Sequence, residues 1–286
     1  MPELPEVETL RRQLAPAVEG RKLKRLEVRD PRWCMPLAPE HVADAVRGRR
    51  IERLGRRGKY LVWELSDEVF LLMHLRMTGN LLYDPSPGAA YTRVVLELDD
   101  GHRVRFCDPR RFGTGELAVG AAALQEFFAS RLGVEPLGGE LSGPRLRALT
   151  RGRRAPIKAF LLDQRRIAGV GNIYADEALF RARIHPMRPA GALSAAQCVA
   201  LAEAVRDALG AGLTAGGATI DDFRHADGLM GGFQGEFLVH RREGLPCPNC
   251  GTPIVKFVAA GRGTYVCERC QPRPRRRRYR PPKSVV

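Results

Sequence analysis

CPNC at residues 247–250 and CERC at residues 267–270 are two Cys-x2-Cys pairs separated by sixteen residues. Four thiolates at this spacing favour a tetrahedral zinc site in a β-ribbon. Disulfide bonds are the alternative, but they are rare inside cells. Because sulfur fills all four positions and leaves none for water, the metal is expected to be structural. The predicted ligands of this single Zn²⁺ are Cys247, Cys250, Cys267 and Cys270.

Basic residues lie between and beyond the two cysteine pairs. Lys256 and Arg262 lie between them, and Gly261 and Gly263 flank the arginine. A turn of this kind presents its arginine outward, and phosphate is the best partner for a guanidinium group. Residues 271–286 add six arginines, one lysine and no acidic residue. This tail is either a disordered arm that adds nonspecific DNA affinity or a solvated segment without consequence.

The whole chain is strongly basic. It has 286 residues, a formal net charge of +15 and a pI near 10.1, and it is long enough for two domains. This charge favours a polyanionic partner over a small metabolite, because lysine and arginine displace counterions from phosphates. A merely soluble basic surface is the alternative. No apolar run approaches the roughly 18 residues that span a bilayer, and no signal peptide opens the chain, so we expect a cytoplasmic protein without a membrane partner.

The residues that precede the ribbon have helical periodicity. Apolar residues at helical spacing predict one helix over residues 157–161 and another over residues 173–180. A third helix is expected to begin at Ser194, which opens a capping box, and to stop at Gly210 and Gly212.

Two segments rich in glycine interrupt this helical half. The glycines of residues 167–172 permit a tight turn, and Asn172 suits the N-cap of the following helix. The turn is either a phosphate site at a helix start or an ordinary helix-turn-helix corner. Residues 227–235 hold four glycines, which is typical of a mobile loop that closes over a substrate or of a plain surface loop.

The first half of the chain is predicted to form strands. Apolar-rich runs at Tyr60–Leu65, Val69–Leu75, Arg93–Leu98 and Arg103–Cys107 are joined by short polar turns, including an Asp-Gly turn before Arg103. The pattern stops at residues 132–139, where glycine and proline dominate, and this segment is the predicted domain boundary.

The segment Asp108–Gly113 follows the last of these strands and contains Arg110, Arg111 and Phe112. Arginines beside an aromatic residue in a turn suit a wedge that enters a duplex and stacks where a base has left. A solvent loop with a buried Phe112 is the alternative.

The amino-terminal octapeptide MPELPEVE is a second motif that suggests a chemical role. Removal of Met1 would make Pro2 the amino terminus, and a terminal amine titrates near pH 8, about two units below lysine. A secondary amine that attacks a sugar carbon forms an iminium, and Glu3 and Glu6 lie beside it as an acid or base. The alternative is that the prolines merely start a helix with an apolar face.

Six motifs together resemble the formamidopyrimidine-DNA glycosylase family, the bacterial enzymes that remove oxidised purines, over residues 1–271. They are residues 2–9, 56–60, 74–77, 108–113 and 169–174 and the two cysteine pairs. The resemblance implies an α+β fold, with an N-terminal β-sandwich with flanking helices and a C-terminal helical domain with a helix-two-turn-helix unit and a zinc β-ribbon. The implied domains are 1–133 (catalytic β-sandwich), 134–236 (helical), 237–271 (zinc ribbon) and 272–286 (disordered basic tail).

The resemblance also implies a site and a reaction on damaged double-stranded DNA by a monomer in the bacterial cytoplasm, at the nucleoid. Pro2 would attack the sugar of a flipped nucleotide, Glu3 would donate a proton for ring opening, and β- and δ-elimination would follow. Glu6 would support the terminus. Implied catalytic residues are Pro2, Glu3, Lys59 and Arg262, and implied DNA contacts are His74, Met77, Tyr91, Arg110, Phe112, Arg153, Asn172 and Lys256.

The sequence departs from the family pattern at a few positions. Tyr91 stands where some members have a histidine, His240 stands where some have a tyrosine, and Leu229 and Met230 are unusual in the glycine-rich loop. The sister endonuclease branch that prefers oxidised pyrimidines is the nearest alternative, although Leu4 is commonly glycine there. A zinc-ribbon DNA-binding protein without catalysis is the alternative from another class.

Overall fold

A computed structural model describes residues 1–85 and 89–274, so the arginine run at 275–278 lies outside the described residues. The helices are α1 Leu4–Val18, α2 Pro39–Val46, α3 Ala121–Ala129, α4 Gly143–Thr150, α5 Ile157–Leu162, α6 Asn172–Arg181 and α7 Ala195–Thr214. The strands are β1 Leu23–Val28, β2 Ile51–Arg57, β3 Tyr60–Leu65, β4 Val69–His74, β5 Asn80–Tyr83, β6 Thr92–Leu98, β7 Arg103–Cys107, β8 Thr114–Val119, β9 Val255–Ala259 and β10 Arg262–Val266.

Two antiparallel four-stranded sheets form the first half of the molecule. Their strand orders are β1-β6-β7-β5 and β2-β3-β4-β8. Alternate residues of both sheets face one apolar core, in which Trp63, Leu71 and Phe106 are fully buried. The predicted β-sandwich is therefore confirmed, and strands β3 and β7 have the predicted bounds. Strand β4 ends at His74, one residue early, because the Arg76 N–H donates to His74 Nδ1 and turns the chain.

Helices α4 to α7 enclose a second apolar core, and β9 and β10 form a two-stranded ribbon beside it. This arrangement confirms the predicted helical domain and ribbon. None of the helices in the described part of the chain is long and apolar enough to cross a membrane.

Helix α1 connects the two cores. Leu4 belongs to the helical core, whereas Val7, Leu10 and Leu14 belong to the core of the sandwich. All four side chains are fully buried, as the apolar spacing predicts. Because the two cores meet along α1, the amino terminus lies at the junction between them.

Two local predictions about the helices are wrong. The N-cap of α6 is Gly171 and not Asn172, which is the first residue of the helix. Helix α7 does not stop at its glycines but continues to Thr214. At Gly212 a Cβ atom would lie 2.4 Å from the hydroxyl oxygen of Tyr174, so this glycine permits close helix packing rather than ending the helix.

Candidate active site

A cavity of about 420 Å³ lies beside the amino terminus, between the sandwich and the helical half. Its lining includes residues that precede α1, the β2–β3 turn, the end of β4, the start of α6 and the start of β10. Six of the residues predicted from the sequence line it together with Met1, namely Glu3, Lys59, His74, Met77, Asn172 and Arg262.

Glu3 is held rigidly at the edge of this cavity. Its Oε1 accepts a hydrogen bond of 3.0 Å from the Ile173 backbone N–H in the first turn of α6, where the helix dipole also stabilises a carboxylate. The other oxygen, Oε2, is buried and has no hydrogen-bond partner among the described residues. A Cβ atom on Gly171 would lie 2.3 Å from Glu3 Cδ, so only glycine allows this approach. Glu3 therefore has one fixed oxygen and one available for proton transfer.

Glu6 fixes the backbone on which Pro2 and Glu3 are carried. Its Oε2 accepts the Glu3 N–H at 2.7 Å, and its Oε1 accepts the Tyr174 hydroxyl and the Ala218 N–H, each at 2.7 Å. Burial, and secondarily the Glu3 carboxylate, raises the pKa of Glu6 above its ordinary value. Pro2 is buried next to this group, and while Met1 is attached its nitrogen is an amide. An amide nitrogen is not a nucleophile, so chemistry at Pro2 requires removal of Met1.

Lys59 lies in the tight turn between β2 and β3 and is 3% exposed. Burial lowers the pKa of Lys59 below its ordinary value, and the Arg262 charge adds to this effect, while the carboxylates of Glu3 and Glu6 oppose it. A lowered pKa makes the neutral amine of Lys59, which can accept a proton, more populated than that of an ordinary lysine.

Glu135 clamps the Lys59 turn to the connection between the two halves. It accepts the Gly58 N–H at 3.0 Å and pairs with Arg56 at 2.7 Å and Arg57 at 3.2 Å. The position of the Lys59 turn is therefore fixed in part by Glu135, which lies outside the sandwich.

His74 faces the cavity as a neutral ring. Burial lowers the pKa of His74 to about 3, and the charges of Arg76 and Lys59 contribute. Its Nδ1 accepts the Arg76 N–H at 2.9 Å, so the proton of the neutral ring is on Nε2. His74 can therefore donate a hydrogen bond to an anion without carrying charge.

The ribbon turn reaches the cavity through Arg262, which is exposed at the start of β10. Asn172 ties the turn to α6, because its Nδ2 donates to the Gly263 carbonyl at 3.0 Å. Asn172 Oδ1 is buried and has no partner among the described residues.

Asp108 organises the loop that carries Arg110 and Phe112. Its buried carboxylate accepts the backbone N–H groups of Arg110, Phe112 and Gly113 at 3.1, 2.8 and 2.8 Å and the Thr78 hydroxyl. The Phe112 ring is 51% exposed, so the alternative in which it is buried is wrong. The Arg110 guanidinium lies 4.7 Å from the ring centroid, and the two side chains form one protruding unit.

Arg110 lines a smaller cavity with Met1 and Met77, which places it next to the main cavity. Phe112 and three other predicted contacts line neither cavity. Tyr91 is exposed, and its carbonyl accepts the Asp108 N–H at 3.0 Å. Lys256 is exposed on the ribbon over the Tyr265 ring, and Arg153 is exposed between α4 and α5.

The four ribbon cysteines form a compact cluster whose sulfur atoms all lie within 4.8 Å of one another. The sulfur-to-sulfur distances of 3.8 Å for Cys247–Cys270, 3.6 Å for Cys250–Cys270 and 3.5 Å for Cys250–Cys267 fit the edges of a tetrahedron around Zn²⁺ with bonds of about 2.3 Å. The other three cysteines are buried separately, as expected of lone thiols.

Replacement of one ribbon cysteine should abolish metal binding. Cys250→Ser is expected to purify with less than about a tenth of the wild-type zinc and to lose several kcal/mol of unfolding free energy, because metal binding contributes directly to folding of such sites. The measurements are zinc content and thermal unfolding. Cys107→Ser, which changes a buried thiol of the sandwich, should keep one zinc per chain. Full zinc content in Cys250→Ser would contradict the four-thiolate site.

Several residues that shape the site have roles that the sequence does not indicate. Asp108, Glu135 and Asp176 are acidic residues whose partners become neighbours only in the folded chain. A buried carboxylate beside several backbone N–H groups can be recognised only after folding.

Three domain profiles match the chain. They are the formamidopyrimidine-DNA glycosylase N-terminal domain over residues 1–115, the formamidopyrimidine-DNA glycosylase H2TH domain over residues 132–224, and a zinc finger found in FPG and IleRS over residues 244–273. The last profile contains all four clustered cysteines, which are the site of one structural Zn²⁺.

Relatives of known identity are similar over nearly the whole chain. The formamidopyrimidine-DNA glycosylase of Ruegeria pomeroyi is 42% identical and that of Heliobacterium modesticaldum 44% identical, each match covering 95% of this chain and 100% of the relative. The crystal structure of the MutM (Fpg) protein from Thermus thermophilus is 44% identical with a TM-score of 0.85, covering 94% of this chain and 98% of that chain. A complex of Lactococcus lactis Fpg with DNA containing an abasic site is 33% identical with a TM-score of 0.88, covering 95% and 100%.

Proposed function

The chain belongs to the formamidopyrimidine-DNA glycosylase family, and on this premise we propose that it excises oxidised purines from damaged duplex DNA and then cleaves the strand at the abasic site. The substrates are 8-oxoguanine and formamidopyrimidines. The observation that carries the proposal is the position of the amino terminus, which shares one cavity with Glu3, Lys59 and Arg262. The enzyme acts as a monomer in the cytoplasm, at the nucleoid.

The glycosylase step begins at the terminal nitrogen after Met1 has been removed. The Pro2 amine attacks C1′ of a flipped nucleotide, the bond from C1′ to the damaged base breaks, and the base leaves with the proton that the Pro2 nitrogen gives up. Glu3 then donates a proton to the sugar ring oxygen as the ring opens, which leaves an iminium between Pro2 and C1′. The free Oε2 of Glu3 supports this role, because a proton on that oxygen needs no broken hydrogen bond.

The lyase step proceeds on the same covalent intermediate. The iminium acidifies C2′, and successive β- and δ-elimination release both phosphates and leave a one-nucleotide gap. Lys59 transfers a proton in β-elimination, which its burial and lowered pKa support. Arg262 stabilises the departing phosphate as a fixed cation, since a guanidinium stays charged throughout the physiological pH range.

The protein binds the sugar-phosphate backbone of the DNA and fills the gap left by the flipped base. His74, Asn172 and Lys256 contact phosphates near the lesion, and Tyr91 and Arg153 contact the backbone further away. Met77, Arg110 and Phe112 fill the gap, with Arg110 facing the unpaired base. Flipping costs a few kcal/mol, and the wedge offsets part of that cost.

Removal of the wedge ring should affect DNA binding and leave the fold intact. Phe112→Ala is expected to weaken binding to a duplex with a tetrahydrofuran abasic site about tenfold, because base stacking on an aromatic ring contributes roughly 1–3 kcal/mol. The free energy of unfolding should change by less than about 0.5 kcal/mol, since half of the ring is already exposed. Fluorescence anisotropy and thermal unfolding measure the two effects. Equal affinities of wild type and variant would exclude the wedge role.

Lesion preference separates this function from that of the pyrimidine-specific branch. Duplexes with 8-oxoguanine opposite cytosine and duplexes with thymine glycol are cleaved side by side under single-turnover conditions. We expect faster cleavage of the 8-oxoguanine duplex. Preferential cleavage of the glycol would assign the chain to oxidised pyrimidines, and cleavage of neither would leave a DNA-binding protein without catalysis.

A further inference from the structure

A second cavity, of about 590 Å³, lies in the helical half and shares no lining residue with the cavity beside the amino terminus. It is formed by the end of helix α4, by the turn that follows this helix and by the short 3-10 helix Ala190–Ala192. Arg147 and Arg151 line it, and the rest of its lining is uncharged. We call it the α4 cavity.

Arg147 and Arg151 project into solvent from the same face of α4. They are four residues apart, so their side chains leave the helix about one turn, or 5.4 Å, apart. Leu146 and Thr150 have the same spacing and are buried, which fixes the orientation of the helix on its core. The two exposed arginines therefore form one wall of the α4 cavity together.

The segment that carries these arginines is strongly basic and unpaired. Residues 141–162 contain five arginines, one lysine and no acidic residue. Arginines of the sandwich, such as Arg49, Arg53 and Arg56, pair with carboxylates. By contrast, none of the five arginine side chains in this segment has an ion-pair or hydrogen-bond partner among the described residues. Their positive charge is therefore available to an anionic ligand.

The backbone around the α4 cavity is held in place by hydrogen bonds. The Gly191 N–H donates to the Arg153 carbonyl at 2.8 Å, and the Arg153 N–H donates to the Thr150 carbonyl at 3.0 Å. A Cβ atom on Gly191 would lie 2.9 Å from the backbone nitrogen and oxygen of Arg153, so glycine permits this close approach. Because the backbone is already fixed, a ligand needs to order only the arginine side chains, which limits the entropic cost of binding.

The chemistry of the α4 cavity fits the phosphates of a DNA backbone. Guanidinium groups bind phosphate oxygens through paired N–H donors. A small anion compensates only part of the charge of residues 141–162, whereas duplex DNA carries one negative charge for about every 1.7 Å of its length. The backbone of Arg153, which the proposed function assigns to DNA contact, adjoins the cavity, so one duplex can contact both.

We propose that Arg147 and Arg151 bind phosphates of the DNA backbone away from the lesion, so that the helical half holds damaged and undamaged duplexes alike. The inference rests on the DNA binding of the proposed function and adds a second site to it. Backbone phosphates carry no information about sequence or damage, so this site raises affinity without changing the preference for a lesion. It holds the protein on undamaged DNA, where a search for lesions begins.

Paired substitutions test the site. Fluorescence anisotropy measures the affinity of Arg147→Gln/Arg151→Gln for an undamaged duplex of about 30 base pairs and for the same duplex with a tetrahydrofuran abasic site, from about 50 to 200 mM salt. The matched control is Arg145→Gln/Arg154→Gln, which removes two exposed, unpaired arginines of the same segment that do not line the α4 cavity. A third variant, Arg147→Lys/Arg151→Lys, keeps the charge.

We expect Arg147→Gln/Arg151→Gln to bind both duplexes at least about tenfold more weakly at about 100 mM salt. The slope of log affinity against log salt should become shallower by about 1.8, since two phosphate contacts are lost. The control should lose less than about threefold, and the lysine variant should keep the wild-type slope because its charge is unchanged. All variants should unfold within about 2 °C of wild type, since the altered side chains are exposed.

Three results would overturn the site. Equal losses in the two glutamine variants would show that only the overall charge of the segment matters. A loss confined to the tetrahydrofuran duplex would place the two arginines in the lesion cleft. Calorimetric binding of inorganic phosphate that is lost in Arg147→Gln/Arg151→Gln, with unchanged DNA affinities, would assign the α4 cavity to a small anion. Wild-type protein that binds neither duplex would overturn the proposed function as well.

Discussion

Protein whose amino end is blocked should cleave a duplex with 8-oxoguanine at least about a thousandfold more slowly than protein that begins at Pro2, as expected for loss of a covalent nucleophile. A peptide tag placed before Met1 keeps the Pro2 nitrogen in an amide, where resonance withdraws its lone pair. A second reason is that Met1 itself lines the cavity that we propose receives the substrate sugar. Single-turnover strand cleavage measures the effect.

The matched control carries the same tag after Val286, which leaves the amino terminus free. It should cleave at the untagged rate. Mass spectrometry of the intact untagged protein should show that Met1 is absent. Cleavage by the protein with the blocked amino end at more than about a tenth of the control rate would show that another group is the nucleophile.

Glu3→Gln should slow opening of the sugar ring, and with it strand cleavage, by about two to four orders of magnitude, the range typical of a general acid or base. Glutamine has the same shape and can still accept the Ile173 N–H through its carbonyl oxygen. It cannot donate an acidic proton to the sugar oxygen. The expected result is therefore a protein that is folded and binds DNA but cleaves the 8-oxoguanine duplex slowly.

Glu8→Gln tests whether the effect belongs to Glu3 or to any acid on α1. Glu8 is largely buried on the same helix, where it pairs with Arg11 at 2.8 Å and Arg56 at 3.1 Å, and it does not line the cavity. This variant should lose some stability and keep a rate of strand cleavage within about threefold of wild type. Equal rates for Glu3→Gln and wild type would remove Glu3 from the chemistry.

The features that could be predicted from the sequence depend on local spacing. Two Cys-x2-Cys pairs bring four sulfurs together through one ribbon, and period-two runs such as Tyr60–Leu65 identify strands without tertiary information. The capping box at Ser194 marks the start of α7 in the same way. The family resemblance implies that Glu3, Lys59 and Arg262 are catalytic residues, and these three residues line one cavity.

The features that could not be predicted depend on contacts between distant segments. Glu135 holds the Lys59 turn through Gly58, 77 residues away in sequence, and His240 meets Asp176 across 64 residues. Gly212 resembles a helix stop, but close packing against Tyr174 requires a glycine there. In each case the neighbouring sequence does not indicate the role of the residue, because that role is set by a tertiary contact.

Borohydride trapping on a duplex with an abasic site tests the role of Pro2 most directly, because only an iminium is reduced to a stable amine adduct. We expect the untagged wild type to form the adduct, Pro2→Gly to trap less, and the protein blocked before Met1 to trap none. Peptide mapping should place the reduced sugar on the residue that begins the chain, Pro2. An adduct on Lys59, or equal trapping by wild type and either altered protein, would contradict catalysis by the amino-terminal proline.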